Sequence, residues 1–350
     1  MNRPRRLYGI ALNFIIFALL AFNASCAHTP PIKSDNSIAS LEKVKIGGVD
    51  QWLLIRGKDK SNPVLLFVHG GPGSPEMPWA HHFSGGLEDH FVVVNWDQRG
   101  SGKSYSGTPK ESLKIDQFVS DAHELTRLLL DRFGAEKIFI VGHSWGSVLS
   151  VLTVRKYPDL YYAYVGIGQV VDMQQNEAIS YRFVLDEAKK RGDRKAIRQL
   201  EKIGPPPYDA FRELYIQRKW LLKFGGAFHN EDSYKKYAKI ALKQGKEYTP
   251  ADWVKFLLSN ILVAKEMWDE LMKINFFEQA PRIEIPVYFL VGRHDYNTPF
   301  ELVEQYYEML DAPMGKRLIW FENSAHSPNL EEPEKFADVM INKVLAESYK

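Results

Sequence analysis

Apolar residues along the chain gather into short unbroken runs at 64–68, 91–95, 138–141, 161–167, 286–291 and 317–321, each closed by turn residues. Runs without polar alternation are expected of parallel strands covered on both faces. Between them the period changes. Over 116–133, apolar residues recur at 118, 119, 122, 125, 128, 129 and 133, which is one stripe of an α-helix. Segments 145–157, 301–310 and 333–345 behave alike. Strands alternating with helices predict a doubly wound α/β sheet. Two alternating runs, 43–46 and 51–55, flank Gly47-Gly48-Val49-Asp50 and predict a hairpin at its start.

The alternation fails once. From 172 to 280 the chain reads as helices only, broken at Gly204-Pro205-Pro206-Pro207, Gly225-Gly226 and Thr249-Pro250. Structureless loops of that length are uncommon in compact domains, so the segment predicts a helical cap inserted into a core formed by 43–171 and 281–350. Residues 28–42, polar and with two prolines, read as a linker.

The first 27 residues have a different character. Arg3, Arg5 and Arg6 precede an apolar run from Ile10 to Phe22, and small residues surround Cys26. That order is expected of a secretory signal peptide, and the run is short for a membrane span. Cys26 is the only cysteine, which excludes an intrachain disulfide and a cysteine metal site. Two processing routes fit: cleavage before Cys26 with lipidation of that cysteine, or cleavage after Ala27. Both predict export to the cell envelope or periplasm, as a membrane-anchored lipoprotein or a secreted protein. An uncleaved amphipathic anchor is the third reading.

Composition narrows the function. The formal net charge is +2, and removing residues 1–25 takes away three arginines and no acid, leaving −1. A near-neutral chain offers no basic face for nucleic acid.

Gly142-His143-Ser144-Trp145-Gly146 stands directly after one strand run and before a helical one. A strand turning sharply into a helix leaves no room for a Cβ two residues either side of its apex, so Ser144 is predicted to stand proud as a nucleophile. A hydroxyl needs a base to take its proton, and the base an acid to orient it. Asp295 follows the run 286–291 and His326 follows the run 317–321, giving the chain order Ser, Asp, His. Asp172 is an alternative acid. His294 competes with His326, while His69 and His143 flank the site and His81, His82 and His123 read as surface or packing residues. The glycine-rich turn His69-Gly70-Gly71-Pro72-Gly73 can aim the Gly71 N–H at a developing oxyanion, with the Trp145 N–H at the helix start as second donor. No Lys-Ser/Thr follows those glycines at the spacing of a phosphate-binding loop. No cofactor or metal is implied.

With Asp97-Gln98-Arg99-Gly100-Ser101-Gly102-Lys103-Ser104 added, these motifs resemble the α/β-hydrolases, and among them the proline iminopeptidase (prolyl aminopeptidase) group of serine peptidases. The resemblance covers about 44–172 and 286–346. It implies Ser144, Asp295 and His326 as the catalytic triad, Gly71 and Trp145 as the oxyanion hole, and mutual pairing of Asp97 with Arg99. The chain departs from that group at His143, where a glycine is common, and lacks the cap motifs whose carboxylates hold a free ammonium. Within 172–280 bases outnumber acids 20 to 16, so no general acidic excess replaces them. Glu177, Glu231 and Glu266 are the candidate anchors. The expected activity is a serine hydrolase working through an acyl-enzyme on a small peptide or acyl substrate, first an aminopeptidase releasing N-terminal proline or small residues. A carboxylesterase and a non-catalytic ligand binder are the alternatives. Epoxide hydrolases and haloalkane dehalogenases are disfavoured because they carry an aspartate where Ser144 stands.

Overall fold

A computed structural model describes residues 27–208, 210–230 and 233–349. Eight strands form one sheet: β1 (Ile38–Ile46), β2 (Val49–Gly57), β3 (Val64–Val68), β4 (Val92–Asp97), β5 (Ile138–His143), β6 (Tyr161–Ile167), β7 (Val287–Gly292) and β8 (Lys316–Phe321). Their spatial order is β1-β2-β4-β3-β5-β6-β7-β8. The β1–β2 and β2–β4 pairings are antiparallel, and all others are parallel.

Every residue of β3, β4 and β5 is buried, as the unbroken apolar runs predict. Alternate side chains feed opposite cores: Val64, Leu66 and Val68 of β3 join one hydrophobic cluster, Leu65 and Phe67 the other. The first cluster is completed by helices α1 (Ile115–Phe133) and α2 (Trp145–Lys156). The second is closed by the short helix Ala80–Phe83 and by Phe336 and Val339 near the C-terminus.

The chain enters the sheet earlier than its pattern predicts. Residues 38–42, read as linker, form the first half of β1, and Thr29 and the Pro30 carbonyl accept hydrogen bonds from Arg56 Nη1 at 2.6 and 2.7 Å. β1 is an edge strand in which only Ile46 is buried, so hydrophobic alternation carries little signal there. The expected signal peptide, including Cys26, lies outside the described residues.

Between β6 and β7 the chain runs through five long helices: α3 (Met173–Lys190), α4 (Arg194–Ile203), α5 (Phe211–Lys223), α6 (Ser233–Gln244) and α7 (Pro250–Leu271). α3, α4 and α5 share a hydrophobic cluster built on Val184, Leu200 and Trp220. α7 packs on the sheet body instead: Ser259 Oγ donates to the Gly73 carbonyl at 2.8 Å, and Val263 and Met267 join the first sheet cluster. Helix α8 (Phe300–Met309) follows β7.

Candidate active site

Ser144 sits between β5 and α2 with φ 55° and ψ −119°, the only described non-glycine residue at positive φ. Its N–H donates to the Ile167 carbonyl at 2.9 Å, tying the bend to β6. The flanking glycines explain how so tight a bend is accommodated. A Cβ on Gly142 would lie 2.3 Å from the Gly146 carbonyl oxygen, and one on Gly146 would lie 2.0 Å from that of Val68.

Asp295, three residues beyond the end of β7, accepts hydrogen bonds from the N–H groups of Asn297 (2.8 Å) and Thr298 (2.9 Å) and from the Thr298 hydroxyl (2.7 Å). Its remaining partner is Nδ1–H of His326 at 2.9 Å. The His326 ring packs so closely on Gly168 that a Cβ there would lie 2.7 Å from Nδ1 and Cε1. Since Gly168 follows Ile167, to whose carbonyl Ser144 is bonded, imidazole and nucleophile elbow flank the same turn at the end of β6. No hydrogen bond within 3.5 Å joins the Ser144 hydroxyl to His326 among the described residues. Catalytic hydrogen bonds of empty sites are often long and tighten only with substrate bound.

Gly71 and Trp145 line one cavity with Ser144, of about 130 Å³. Trp145 opens α2, where the first N–H groups have no intrahelical acceptor. Neither the Gly71 nor the Trp145 N–H donates to the protein among the described residues. Gln98 fixes both sides of this gap: its Oε1 accepts from the Trp145 indole at 2.9 Å, its Nε2 donates to the His69 carbonyl at 2.9 Å, and its N–H donates to His69 Nε2 at 3.2 Å. Burial pushes the His69 imidazole down to about 4, so it is neutral, and its Nδ1–H donates to the Gly70 carbonyl at 2.8 Å.

Beneath the elbow lies a buried pair unseen in the sequence. His143 Nδ1–H donates to Glu76 Oε1 at 2.5 Å and Nε2–H to the His326 carbonyl at 2.8 Å. Two donor nitrogens require an imidazolium. Burial opposes that charge, but Glu76 outweighs it and raises the His143 pKa. Burial likewise works to raise Glu76, and His143 with the Gly70 N–H pulls it below its ordinary range. The same Glu76 oxygen accepts from the Gly70 N–H at 3.1 Å. One carboxylate therefore links the glycine-rich turn, the elbow and, through His143, the loop carrying His326.

Several expected roles are corrected. Asp172 caps α3, accepting from the N–H groups of Gln174 (2.9 Å) and Gln175 (3.0 Å), and is not an alternative orienting acid. Asp97 and Arg99 do not pair. Arg99 makes a bidentate bridge to buried Asp121 at 2.6 and 2.8 Å, while Asp97 accepts from the Tyr248 hydroxyl and from the Lys103 N–H at 2.9 Å. At the end of β4 the two side chains point in different directions, Arg99 toward α1 and Asp97 toward the turn between α6 and α7. His294 stacks on His229 with ring centroids 3.9 Å apart, while His326 holds Asp295.

Of the three candidate anchors, Glu177 lines the cavity with Ser144. It is fully buried, its Oε1 accepts from Arg218 and from Asn176 Nδ2 (3.3 Å), and its Oε2 has no partner. Glu266 is excluded: it lies on the outward side of α7 and pairs with Lys110 at 2.7 Å. Glu231 lies outside the described residues. Trp268 lines the cavity, whereas Trp220 packs among α3, α4 and α5, and Trp253 packs at an angle against Tyr248 and Phe256. Among the described residues no group of three or more His, Cys, Asp or Glu is arranged to hold a metal ion.

The chain is similar along most of its length to several known proteins. A probable aminopeptidase, YbaC, of Bacillus subtilis (strain 168) is 38% identical over 312 residues, covering 88% of this chain and 97% of the relative. A proline iminopeptidase of Saccharolobus solfataricus is 24% identical over 85% of this chain and 89% of its own length. The crystal structure of a proline iminopeptidase-related protein from Thermus thermophilus superposes with a TM-score of 0.64 at 22% identity, covering 89% of this chain and 98% of that one. The sequence profile of the alpha/beta hydrolase family matches residues 65–339, and with an eight-stranded sheet that carries Ser144 on its central elbow, the chain belongs to that family.

Proposed function

We propose that this hydrolase is a serine aminopeptidase working through an acyl-enzyme. Ser144 Oγ attacks the carbonyl carbon of the substrate's first residue, and His326 Nε2 takes the hydroxyl proton. Asp295, held by three other donors, keeps Nδ1–H of His326 in place and stabilises the imidazolium. The unpaired N–H groups of Gly71 and Trp145 receive the oxyanion. His326 passes its proton to the leaving amine, and the C–N bond breaks. Water, deprotonated by the same imidazole, then attacks the acyl-serine ester and releases the acid.

The observation that carries this reading is the strained Ser144, φ 55°, facing a cavity lined by two free N–H donors and by Glu177. A buried carboxylate oxygen without a partner, Glu177 Oε2, suits the free ammonium of an N-terminal residue. The names of the bacterial and archaeal relatives agree with that reading. Arg218 supports a second reading: its ion pair offsets the charge of Glu177, and a neutralised cavity would take small carboxylic esters.

Hydrolysis of proline p-nitroanilide and of p-nitrophenyl acetate separates the two. The aminopeptidase cleaves the anilide, and Glu177→Gln lowers kcat/KM for it roughly 10- to 100-fold, the loss expected for a charge-assisted hydrogen bond, while sparing N-blocked esters. Ester cleavage with no anilide cleavage would reject the peptidase reading.

A further inference from the structure

The exterior of α7 is unusual. Its inner side packs Ser259, Val263 and Met267 against the sheet body, yet its outer side is apolar as well. Val254, Leu257, Leu258, Ile261 and Leu262 are 43–55% exposed and follow the 3–4 residue spacing of a single helical stripe. Contiguous exposed apolar side chains of this kind mark surfaces that meet a partner or a membrane. The adjacent surface is cationic. α6 turns Lys236, Lys239 and Lys243 outward beside Leu242, which is 69% exposed, and residues 233–246 contain no acid. The two helices flank one side chain, Trp79, whose indole donates to the Tyr237 carbonyl of α6 at 2.8 Å and whose ring lies 5.9 Å from that of Phe256 on α7.

Where the N-terminal segment leaves the body bears on what covers this face. The His28 N–H donates at 3.2 Å to the carbonyl of Lys246, in the turn joining α6 to α7. The described chain therefore begins beside the turn that leads into α7. No helix of the described residues is long and apolar enough to cross a membrane, so α7 suits the interface and not the interior of a bilayer.

We propose that the outer faces of α6 and α7 dock on an anionic lipid surface. Val254, Leu257, Leu258, Ile261 and Leu262 enter the boundary between headgroups and acyl chains, and the lysines of α6 meet anionic headgroups. The catalytic cavity then lies on the inner side of the docked helix, since Ala264, Trp268 and Leu271 of α7 line it. The docking stands or falls independently of the hydrolytic mechanism.

The test uses the full chain with Cys26→Ser and a single environment-sensitive fluorophore at Leu257→Cys, in phosphatidylcholine vesicles with and without phosphatidylglycerol. A fluorophore at Met314→Cys, an exposed position after α8, is the control. With phosphatidylglycerol the label at 257 becomes shielded from a water-soluble quencher, and the label at 314 stays open. Adding Lys236→Gln, Lys239→Gln and Lys243→Gln lowers the ratio of docked to undocked protein on the order of a hundredfold, since each lysine near an anionic surface contributes roughly fivefold. Equal quenching at 257 and 314 in phosphatidylglycerol vesicles would overturn the proposal. So would shielding at 257 in lipid-free detergent solution together with a doubled protein mass, which would assign the face to a second copy of the chain.

Discussion

Glu76 reaches three parts of the site at once, and its removal is the most informative single-atom change. In Glu76→Gln the His143 imidazolium loses its counter-charge in a fully buried position. Breaking a buried pair by removing one partner costs about 3–5 kcal/mol. That loss is expected near pH 5, where the imidazole is charged, and shrinks as pH rises and His143 sheds its proton. Urea unfolding of both proteins at pH 5 and 8 checks it. Because the pair also holds the Gly70 N–H and the His326 carbonyl, kcat is expected to fall with KM little changed. Unchanged kcat would reduce Glu76 to a packing residue. The placing of Ser144, Asp295 and His326 just beyond strand ends was legible in the sequence, because turn residues close each apolar run and glycines stand where a Cβ has no room. Glu76, Gln98 and Thr298 were not, because their roles depend on pairings such as Glu76 with His143, 67 positions apart, that no local pattern encodes.

The elbow between β5 and α2 works only if α2 can approach the end of β3. Gly146 allows that approach, and Gly146→Ala would drive a Cβ to 2.0 Å from a backbone oxygen that cannot rotate aside. The variant is expected to lose about 3 kcal/mol or more of stability, with activity falling alongside. A urea midpoint like that of the parent would mean that α2 can shift without harm. Buried strands such as β3 and β5 were easy to read, since being covered on both faces leaves an unbroken apolar run. The inserted helices were legible as helices, punctuated by proline and glycine, but their orientation was not. With apolar residues on both sides of α7, periodicity gives no single inward face, and so Glu266 looked as good an anchor as Glu177 until the packing separated them.

Contacts between the inserted helices and the sheet body set the pH response of the whole molecule. Lys103 Nζ, buried, donates to Asp252 of α7 at 2.7 Å and to the Glu247 carbonyl at 2.9 Å. Next to them burial pushes Asp97 up to about 7. Glu331, which accepts from the N–H groups of His229 (2.8 Å) and Ala325 (2.9 Å), is also raised by burial to about 7. Both acids bind their protons more tightly folded than unfolded. Their contribution to stability is complete below their ordinary values, 3.8 and 4.5, and is lost as pH rises through 7. The raised His143 pKa acts in the same direction, and the lowered His69 pKa acts against it between about 4 and 6.5. Thermal unfolding is therefore expected at lower temperature at pH 8 than at pH 5, and Asp97→Asn with Glu331→Gln should flatten most of that slope. A midpoint that climbs with pH over this interval would show that other groups dominate.

Labelling with a fluorophosphonate, followed by peptide mass spectrometry, interrogates the nucleophile itself. A single covalent adduct is expected on Ser144, absent from Ser144→Ala and formed much more slowly in His326→Ala. A folded protein that takes up no label, or takes it up at another serine, would remove Ser144 from the chemistry and with it the hydrolytic mechanism built on it.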